Sequence, residues 1–232
     1  MEPVNLHLLW ALILAALLNL DRQAVGQSML ARPLVTGLLV GHVLDNPLAG
    51  LYLGLWTELL WLTRPPLGGV LTPNGGLAVS AALLAWSAVT RFWHTPPERP
   101  VLVFICILIP PVAVLATGLE KLSRRVSGKV EARLEENLAV GGRVGFMWPN
   151  LKGLLFTLAA GLASLSLLAP ILALFIIWNI KAEPAALWPF LDKLAPFMPL
   201  VGLTINIGRL RKSLILFYGL GLLAGIIITC LC

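Results

Sequence analysis

The sequence contains few charged residues, because Asp, Glu, Lys and Arg make up only 12% of its 232 residues. Soluble globular domains carry about 25% charged residues, so this deficit excludes an ordinary soluble enzyme, a disordered chain and a nucleic-acid-binding protein. Hydrophobic residues make up 58% of the sequence, and its mean hydropathy is +0.89. We therefore predict a polytopic membrane protein that is embedded in a lipid bilayer and binds no nucleic acid.

Cysteine and histidine are also scarce, with three residues of each type. Cys106, Cys230 and Cys232 lie within apolar runs and lack the spacing to histidine that a zinc site requires. We therefore predict no disulfide framework, no metal site and no cofactor. The sequence also lacks a P-loop, the spacing of a catalytic triad and an obvious nucleophile. It offers no catalytic residue of its own, and whether the chain is an enzyme stays open.

Long hydrophobic runs dominate what is present. They lie at about residues 4–20, 34–44, 48–62, 75–90, 101–118, 153–180, 194–208 and 214–231. The longest runs reach the roughly 20 residues that a helix needs to cross the hydrocarbon. The runs 34–44, 48–62 and 194–208 are shorter and interrupted by Gly, Pro or Asn, which is typical of broken or re-entrant helices. We predict an all-α polytopic membrane bundle with such helices in the N-terminal half and near 194–208.

Basic residues cluster in the one long polar stretch, Glu120–Lys152, and again at Arg209–Lys212. Cytoplasmic loops of membrane proteins are enriched in Lys and Arg, so both clusters are predicted to face the cytoplasm, and they account for the net charge of +6. Lys181–Lys193 and Thr90–Pro100 then face outward. The orientation of the first 75 residues stays open.

These patterns divide the chain into three regions. Residues 1–118 form an N-terminal membrane region that contains the Gly- and Pro-rich segments, and residues 153–232 form a C-terminal membrane region. Between them, residues 119–152 are predicted to be a basic cytoplasmic segment. The part 119–138 of that segment reads as an amphipathic helix with its charges on a solvated face.

Glu58 is the clearest functional candidate, because apolar residues flank it on both sides and a charge in hydrocarbon is costly. Such a carboxylate is retained either to bind a sugar or an ion in a cavity, or for structural reasons. In the structural alternative it extends to the interface from a helix end or pairs with Arg64. Trp56 on the same segment either stacks against a sugar or belongs to an interfacial aromatic belt.

Two further polar positions lie in turn sequences. Asp45 precedes Asn46 and Pro47, which is a helix-start signal as well as a candidate polar site. Asn74 lies in a Thr-Pro-Asn turn between two glycine pairs, where glycine permits close approach to backbone or ligand and the amide offers donors and an acceptor. That turn is either a plain surface turn or, if it dips toward Glu58, part of a site for a hydroxyl-rich ligand.

These residues resemble a known family. The ordered block that carries the resemblance is Arg32-Pro33-Leu34-Val35, Gly41, Asp45, Gly50, Gly54, Thr57-Glu58, Gly68, Pro73-Asn74 and Leu77-Ala78. Over about 50 residues it is similar to the core of the mannose/sorbose-type enzyme IIC subunits of bacterial phosphotransferase (PTS) sugar transporters. The rest of the chain agrees with that family in length, hydropathy and a mid-chain cytoplasmic stretch.

The resemblance implies a multi-pass sugar permease subunit in the bacterial inner membrane. It implies a IID-type membrane subunit and cytoplasmic IIA and IIB phosphocarriers as partners, an oligomeric assembly, and a hexose-type sugar that moves inward and is phosphorylated by IIB. It also implies that Glu58 and Asn74 contact the sugar, with Gln27 as a third contact. Phosphoryl transfer then belongs to a partner subunit.

One departure from the family pattern concerns the turn, where Asn74 stands in place of the family's usual Asp. The amide keeps hydrogen bonding to hydroxyls but removes a charge, so the chemical identity of the sugar stays open. An alternative function is a divergent IIC-like sugar sensor or scaffold that does not perform group translocation, and the presence or absence of neighbouring IIA, IIB and IID genes distinguishes the two. A membrane enzyme of lipid metabolism is disfavoured because the acidic residues are scattered singly rather than clustered for Mg²⁺.

Overall fold

The fold was determined as a computed structural model, which describes residues 3–23, 26–63, 72–92, 98–139, 147–182, 187–210 and 212–231. These residues form helices and no β-strand, so the predicted all-α fold is confirmed for them. The helices are α1 (Pro3–Gln23), α2 (Pro33–Val43), α3 (Pro47–Trp61), α4 (Gly75–Phe92), α5 (Glu98–Ala139), α6 (Met147–Ala182), α7 (Leu187–Leu194), a 3₁₀ turn (Ala195–Phe197), α8 (Met198–Leu210) and α9 (Lys212–Leu231).

Helices α2 and α3 form an antiparallel hairpin. They contain 11 and 15 residues, or about 16 and 22 Å of helix, which is too short to cross a membrane. Pro33 and Pro47 occupy the first turn of each helix, where a missing N–H costs no hydrogen bond. Asn46 caps α3 by accepting a hydrogen bond from the Ala49 N–H at 3.1 Å. The prediction of short, interrupted helices in this region is confirmed.

Glycine allows the two backbones of this hairpin to touch. A Cβ atom on Gly50 would lie 2.1 Å from the Gly37 carbonyl oxygen, and one on Gly54 would lie 2.7 Å from the Pro33 carbonyl oxygen. Gly37 and Gly41, like Gly50 and Gly54, are four residues apart, which is the small-residue spacing that permits close helix packing in membranes. The hairpin is therefore held by direct backbone contact.

Helix α4 is the centre of the bundle, with 14 of its 18 residues buried. It packs against α1, α2, α3, α5 and α6. Its many Gly, Ala and Ser residues make this possible, since small side chains let several helices approach one axis. The start of α4 is consequently enclosed by neighbouring elements.

Helix α5 contains Pro110 and Pro111. Proline has no N–H, so Pro110 leaves the Cys106 carbonyl without its partner inside the helix. The indole N–H of Trp56 on α3 donates to that carbonyl at 2.9 Å. The carbonyl that Pro110 leaves unpaired in α5 thus accepts a hydrogen bond from α3.

Helix α8 covers the other side of α3. A Cβ atom on Gly202 would lie 3.0 Å from ring carbons of Trp56. One helical turn later, the buried Asn206 donates to the Leu59 carbonyl at 3.0 Å and accepts from the Thr63 hydroxyl. Because Leu59 lies in the last turn of α3, Asn206 satisfies one of the carbonyls that the end of α3 leaves unpaired.

Within the described residues, four segments are long and apolar enough to cross a membrane: Gly75–Phe92, Arg99–Gly128, Asn150–Ile180 and Trp188–Ile207. The last is divided among α7, the 3₁₀ turn and α8, which confirms the predicted broken helix near 194–208. Large apolar side chains such as Leu174 and Trp178, 68% and 70% exposed, cover the outside of the bundle, as expected of a surface that faces lipid. Helix α5 continues through residue 118, and the three-region division stays a prediction.

Candidate functional site

The carboxylate of Glu58 lies against the guanidinium of Arg32, with 2.6 Å between Oε1 and Nη1. The side chains of Arg32 and Glu58 are 32% and 14% exposed, so the ion pair is mostly buried but keeps an accessible edge. The second carboxylate oxygen is 3.5 Å from the Leu34 backbone nitrogen. The sequence left open whether this carboxylate binds a ligand or pairs structurally with Arg64. In the structure it pairs with Arg32, and Arg64 lies outside the described residues.

The hairpin creates this pair because its arms are antiparallel. Arg32 immediately precedes α2 in an extended conformation, while Glu58 lies in the last turn of α3, so the two ends meet. A cation at a helix N-terminus and an anion at a C-terminus are each unfavourable toward the helix dipole. Their mutual attraction offsets this cost, and it holds a donor group and an acceptor group side by side where α2 begins and α3 ends.

A second polar cluster surrounds Asn74, whose side chain is 1% exposed. Its Oδ1 accepts from the Leu77 N–H at 3.1 Å and caps α4, while its Nδ2 donates to Asn19 Oδ1 and to Glu120 Oε2, both at 3.0 Å. Its backbone N–H donates to the Thr117 hydroxyl at 2.9 Å. The amide therefore connects the start of α4 to α1 and α5.

Glu120 forms the charged centre of this cluster. Its side chain is 1% exposed, and it accepts from Arg22 Nε at 3.2 Å and from two nitrogens of Arg124 at 3.1 and 2.8 Å. Arg22 also donates to the Thr72 carbonyl at 2.6 Å. One carboxylate thus holds two guanidinium groups and, through Asn74 and Thr72, the turn before α4.

The position of Glu120 corrects one sequence-based expectation. The amphipathic reading of residues 119–138 assigned the charges of that segment to a solvated face, whereas Glu120 points into the bundle. Lys121 and Arg125 on the same helix are exposed, because successive residues of an α-helix are rotated by about 100°. The sequence signals that could have revealed this carboxylate are the i, i+4 pairing with Arg124 and the lone Arg22 at the end of an apolar run.

The two clusters are adjacent. A Cβ atom on Gly75 would lie 2.7 Å from Pro33 Cγ and 2.9 Å from Thr57 Cγ2, and one on Gly76 would lie 2.4 Å from the Ala31 carbonyl oxygen. Ala31 and Pro33 flank Arg32, and Thr57 precedes Glu58. The start of α4 therefore packs directly on the residues that carry the Arg32–Glu58 pair, and the structure brings together the regions of Glu58 and Asn74.

The remaining predicted site residues lie apart from these clusters or are covered. Asp45 has a positive φ of 62° and a 65% exposed side chain, which is 2.7 Å from His7 and 3.5 Å from Arg91. Asp45 precedes the start of α3 at Pro47, and Glu58 lies in the last turn of that helix, so the two are roughly 16 Å or more apart along the helix axis. Trp56 is buried, at 4% exposure, between α5 and α8.

Gln27 is exposed in the segment between α1 and α2. The carboxylate of Asp21 organises this segment by accepting hydrogen bonds from the Ser28 N–H and hydroxyl, both at 2.7 Å, and from the Ala31 N–H at 3.3 Å. Gln27 thus lies five residues before Arg32, in the described part of the loop (residues 26–32) that Asp21 holds by these hydrogen bonds. The glycine-rich residues Leu67–Leu71 of the predicted turn lie outside the described residues.

A sequence model of the family described as "PTS system sorbose-specific IIC component" matches residues 6–230. The chain belongs to this IIC family. It is thus a membrane-embedded sugar permease component of the mannose/sorbose class, and the resemblance deduced from about 50 residues is confirmed over nearly the whole length.

The fold agrees with the family assignment. This IIC chain superimposes on a chain in the cryo-EM structure of the mannose transporter ManYZ in complex with microcin E492 (MceA), with a TM-score of 0.58 and 20% sequence identity. The match covers 96% of this chain and 87% of that chain, and at this identity it demonstrates a shared fold. No curated protein sequence matches the chain.

Proposed function

We propose that this IIC component binds a hexose-type sugar within the membrane and moves it inward, where a partner IIB subunit phosphorylates it. The observation that carries the proposal is the Arg32–Glu58 pair, which is accessible at one edge and lies where α2 begins and α3 ends. Interrupted helices at membrane depth are tolerated where they are buried in protein or line a water-filled cavity, and in transporters they mark binding sites.

The pair offers the chemistry that a polyol needs. A sugar hydroxyl both donates and accepts hydrogen bonds, so it can donate to the Glu58 carboxylate and accept from Arg32. Hydrogen bonds to charged groups contribute about 1.5–3 kcal/mol each. We assign Glu58 as the principal sugar contact and Arg32 as the group that holds it in place.

The proposal gives each of the other predicted sugar contacts a different role. Gln27 lies on the loop that leads to Arg32 and contacts a sugar held there, and Asn74 borders the same region through the start of α4. Trp56 reaches the sugar only when α8 withdraws from its ring. Asp45, at the far end of the hairpin, meets the sugar only on its way to the pair.

We further propose that the chain acts in the bacterial inner membrane as part of an oligomeric assembly. Its partners are a IID-type membrane subunit and the cytoplasmic IIA and IIB carriers. The similar fold of a chain in the structure of the mannose transporter ManYZ supports an assembly with a membrane partner subunit. Phosphoryl transfer to the sugar is assigned to the IIB partner.

Uptake of ¹⁴C-labelled hexoses tests this function in cells that lack other sugar phosphotransferase systems and express the chain with IIA, IIB and IID subunits. Glu58→Gln is expected to raise the KM for uptake about tenfold or more, because a neutral amide replaces the charged acceptor. Asp192→Asn, which removes an exposed carboxylate on α7, serves as the matched control and is expected to leave uptake unchanged.

Two results contradict the proposal. Uptake that is the same for Glu58→Gln and the unsubstituted chain excludes Glu58 as the sugar contact. Sugar binding to the purified complex without uptake or phosphorylation in cells favours the sensor or scaffold function instead.

A further inference from the structure

The turn before α4 contains no acidic residue of its own, but a carboxylate from helix α5 contacts it. Glu120 Oε2 accepts hydrogen bonds from Asn74 Nδ2 at 3.0 Å and from Arg22 Nε at 3.2 Å. The same oxygen thus binds the turn amide and the cation that holds the Thr72 carbonyl. Glu120 therefore places a negative charge directly beside the side chain of Asn74.

The local charge balance requires this carboxylate. The Arg22 side chain is 10% exposed, and a buried charge without a partner is strongly destabilising. Asn74, Asn19, Thr72 and Thr117 are neutral. Arg124 adds a second positive charge but is 45% exposed, so water compensates part of it. Asp21, the acid adjacent to Arg22, is already occupied by Ser28 and Ala31.

We propose that Glu120 is a positioning residue of the sugar site: it supplies from α5 the negative charge that fixes the Thr72–Asn74 turn, and thereby the start of α4 against Arg32 and Glu58. The inference rests on the proposed function, since it assigns Glu120 a role in sugar affinity. Glu120 has no contact with the sugar itself. Its effect passes through Asn74 and through the close packing of Gly75 and Gly76 on Pro33, Thr57 and Ala31.

The geometry makes a specific prediction about charge relocation. Asn74→Asp alone places a second carboxylate about 3 Å from that of Glu120, and like charges at that distance repel strongly. Glu120→Gln alone removes the partner of Arg22. The double substitution Glu120→Gln with Asn74→Asp again leaves a single carboxylate, now on residue 74 instead of residue 120. Because Asp is a good N-cap, this residue can still cap α4.

The test measures KM and maximal rate of uptake for these three variants in the full complex, with the best-transported hexose of a ¹⁴C-labelled panel. Glu120→Gln and Asn74→Asp are each expected to raise KM about tenfold, and the double variant is expected to return it to within about threefold of the unsubstituted chain, a non-additivity typical of residues in contact. Asp192→Asn is again the control. Melting temperatures of the purified complexes are recorded in parallel.

A purely structural role gives a different pattern. In that case Glu120→Gln lowers the amount of complex and its melting temperature, while KM of the remaining complex is unchanged, and this result overturns the proposal. An Asn74→Asp effect that simply adds to that of Glu120→Gln also overturns it. The two proposals fail separately. Absence of uptake by the unsubstituted complex contradicts the proposed function. Normal uptake by the unsubstituted complex, with an unchanged KM in Glu120→Gln, contradicts only the role of Glu120.

Discussion

Several polar side chains in this bundle lie where a backbone group or a charge needs a partner. Trp56, Asn74 and Asn206 each satisfy a backbone group that a proline or a helix end has left unpaired. In a membrane no bulk water is present to do this, and an unsatisfied backbone group costs several kcal/mol. At the scale of single residues, Trp56 and Asn206 therefore supply from one helix a hydrogen bond that another helix lacks, and Asn74 does the same for the start of its own helix.

Trp56 and Pro110 provide a test of that compensation. Trp56→Phe is expected to lower the free energy of unfolding by about 1–3 kcal/mol beyond the loss of packing, because the Cys106 carbonyl loses its donor. In a Pro110→Ala background the helix itself supplies an N–H to this carbonyl, so the same substitution should cost less. Melting temperatures in detergent, followed by circular dichroism, measure both effects.

The comparison between backgrounds is the control, since the volume lost from Trp56 is the same in each. An equal decrease in melting temperature for Trp56→Phe with and without Pro110 would show that the hydrogen bond contributes nothing.

Single residues also show what the sequence can and cannot reveal. The importance of Glu58 follows from its apolar neighbours, because a charge among them needs a reason to be there. Its partner Arg32 is 26 positions away, and only the antiparallel hairpin brings them together. Glu120 escaped prediction because it borders a charged stretch, where composition gives no indication of which way one side chain points.

At the scale of elements, the α2–α3 hairpin depends on positions that tolerate no side chain. Gly50→Ala introduces a Cβ atom 2.1 Å from the Gly37 carbonyl oxygen. The backbone fixes the position of the Cβ, and the oxygen belongs to the helical backbone, so neither can rotate away. We expect this substitution to separate the arms, to lower the melting temperature clearly, and to reduce uptake because the Arg32–Glu58 geometry is lost.

Gly118→Ala on α5 is the matched control for that experiment, since a Cβ atom there meets nothing within 4 Å. Alanine has a higher helix propensity than glycine, by up to about 1 kcal/mol, so this variant should be neutral or slightly stabilised. Equal melting temperatures for Gly50→Ala and Gly118→Ala would refute the backbone contact.

The elements were largely predictable, and their relative placement was not. Run length and Gly, Pro and Asn interruptions identified α2, α3 and the broken α7–α8 region, because a helix shorter than the bilayer is visible in the sequence. Which helices pack around α4 depends on the complementary shapes of their surfaces. The periodicity of a single sequence does not reveal which surfaces are complementary. The continuity of α5 beyond residue 118 was likewise hidden by the change in composition.

At the scale of the whole molecule, α5 is longer than a membrane requires. Its 42 residues extend about 63 Å, roughly twice the 30 Å hydrocarbon thickness, and all of its basic residues except Arg99 lie in its second half. If that half is cytoplasmic, the start of α5 faces outward. The end of the bundle that contains Arg91, Asp45 and His7 then faces outward too, and Arg32 and Glu58 lie deeper in the membrane.

Cysteine labelling tests this orientation. Gly128→Cys on the second half of α5 is expected to react with a membrane-impermeant maleimide only after cells are permeabilised, whereas Asp192→Cys on α7 should react in intact cells. Both positions are exposed, so differences in reactivity report the side of the membrane. The reverse labelling pattern would contradict the assigned orientation.

The backbone contact within the α2–α3 hairpin has an electrical consequence. Arg32 and Glu58 lie on opposite arms, and arms that touch along their glycines cannot slide past each other. In the proposed permease, a displacement of the hairpin therefore carries a cation and an anion the same distance. Moving one elementary charge through the membrane field involves about 2.3 kcal/mol per 100 mV, but this pair carries none in sum, so the resting voltage neither drives nor opposes its movement.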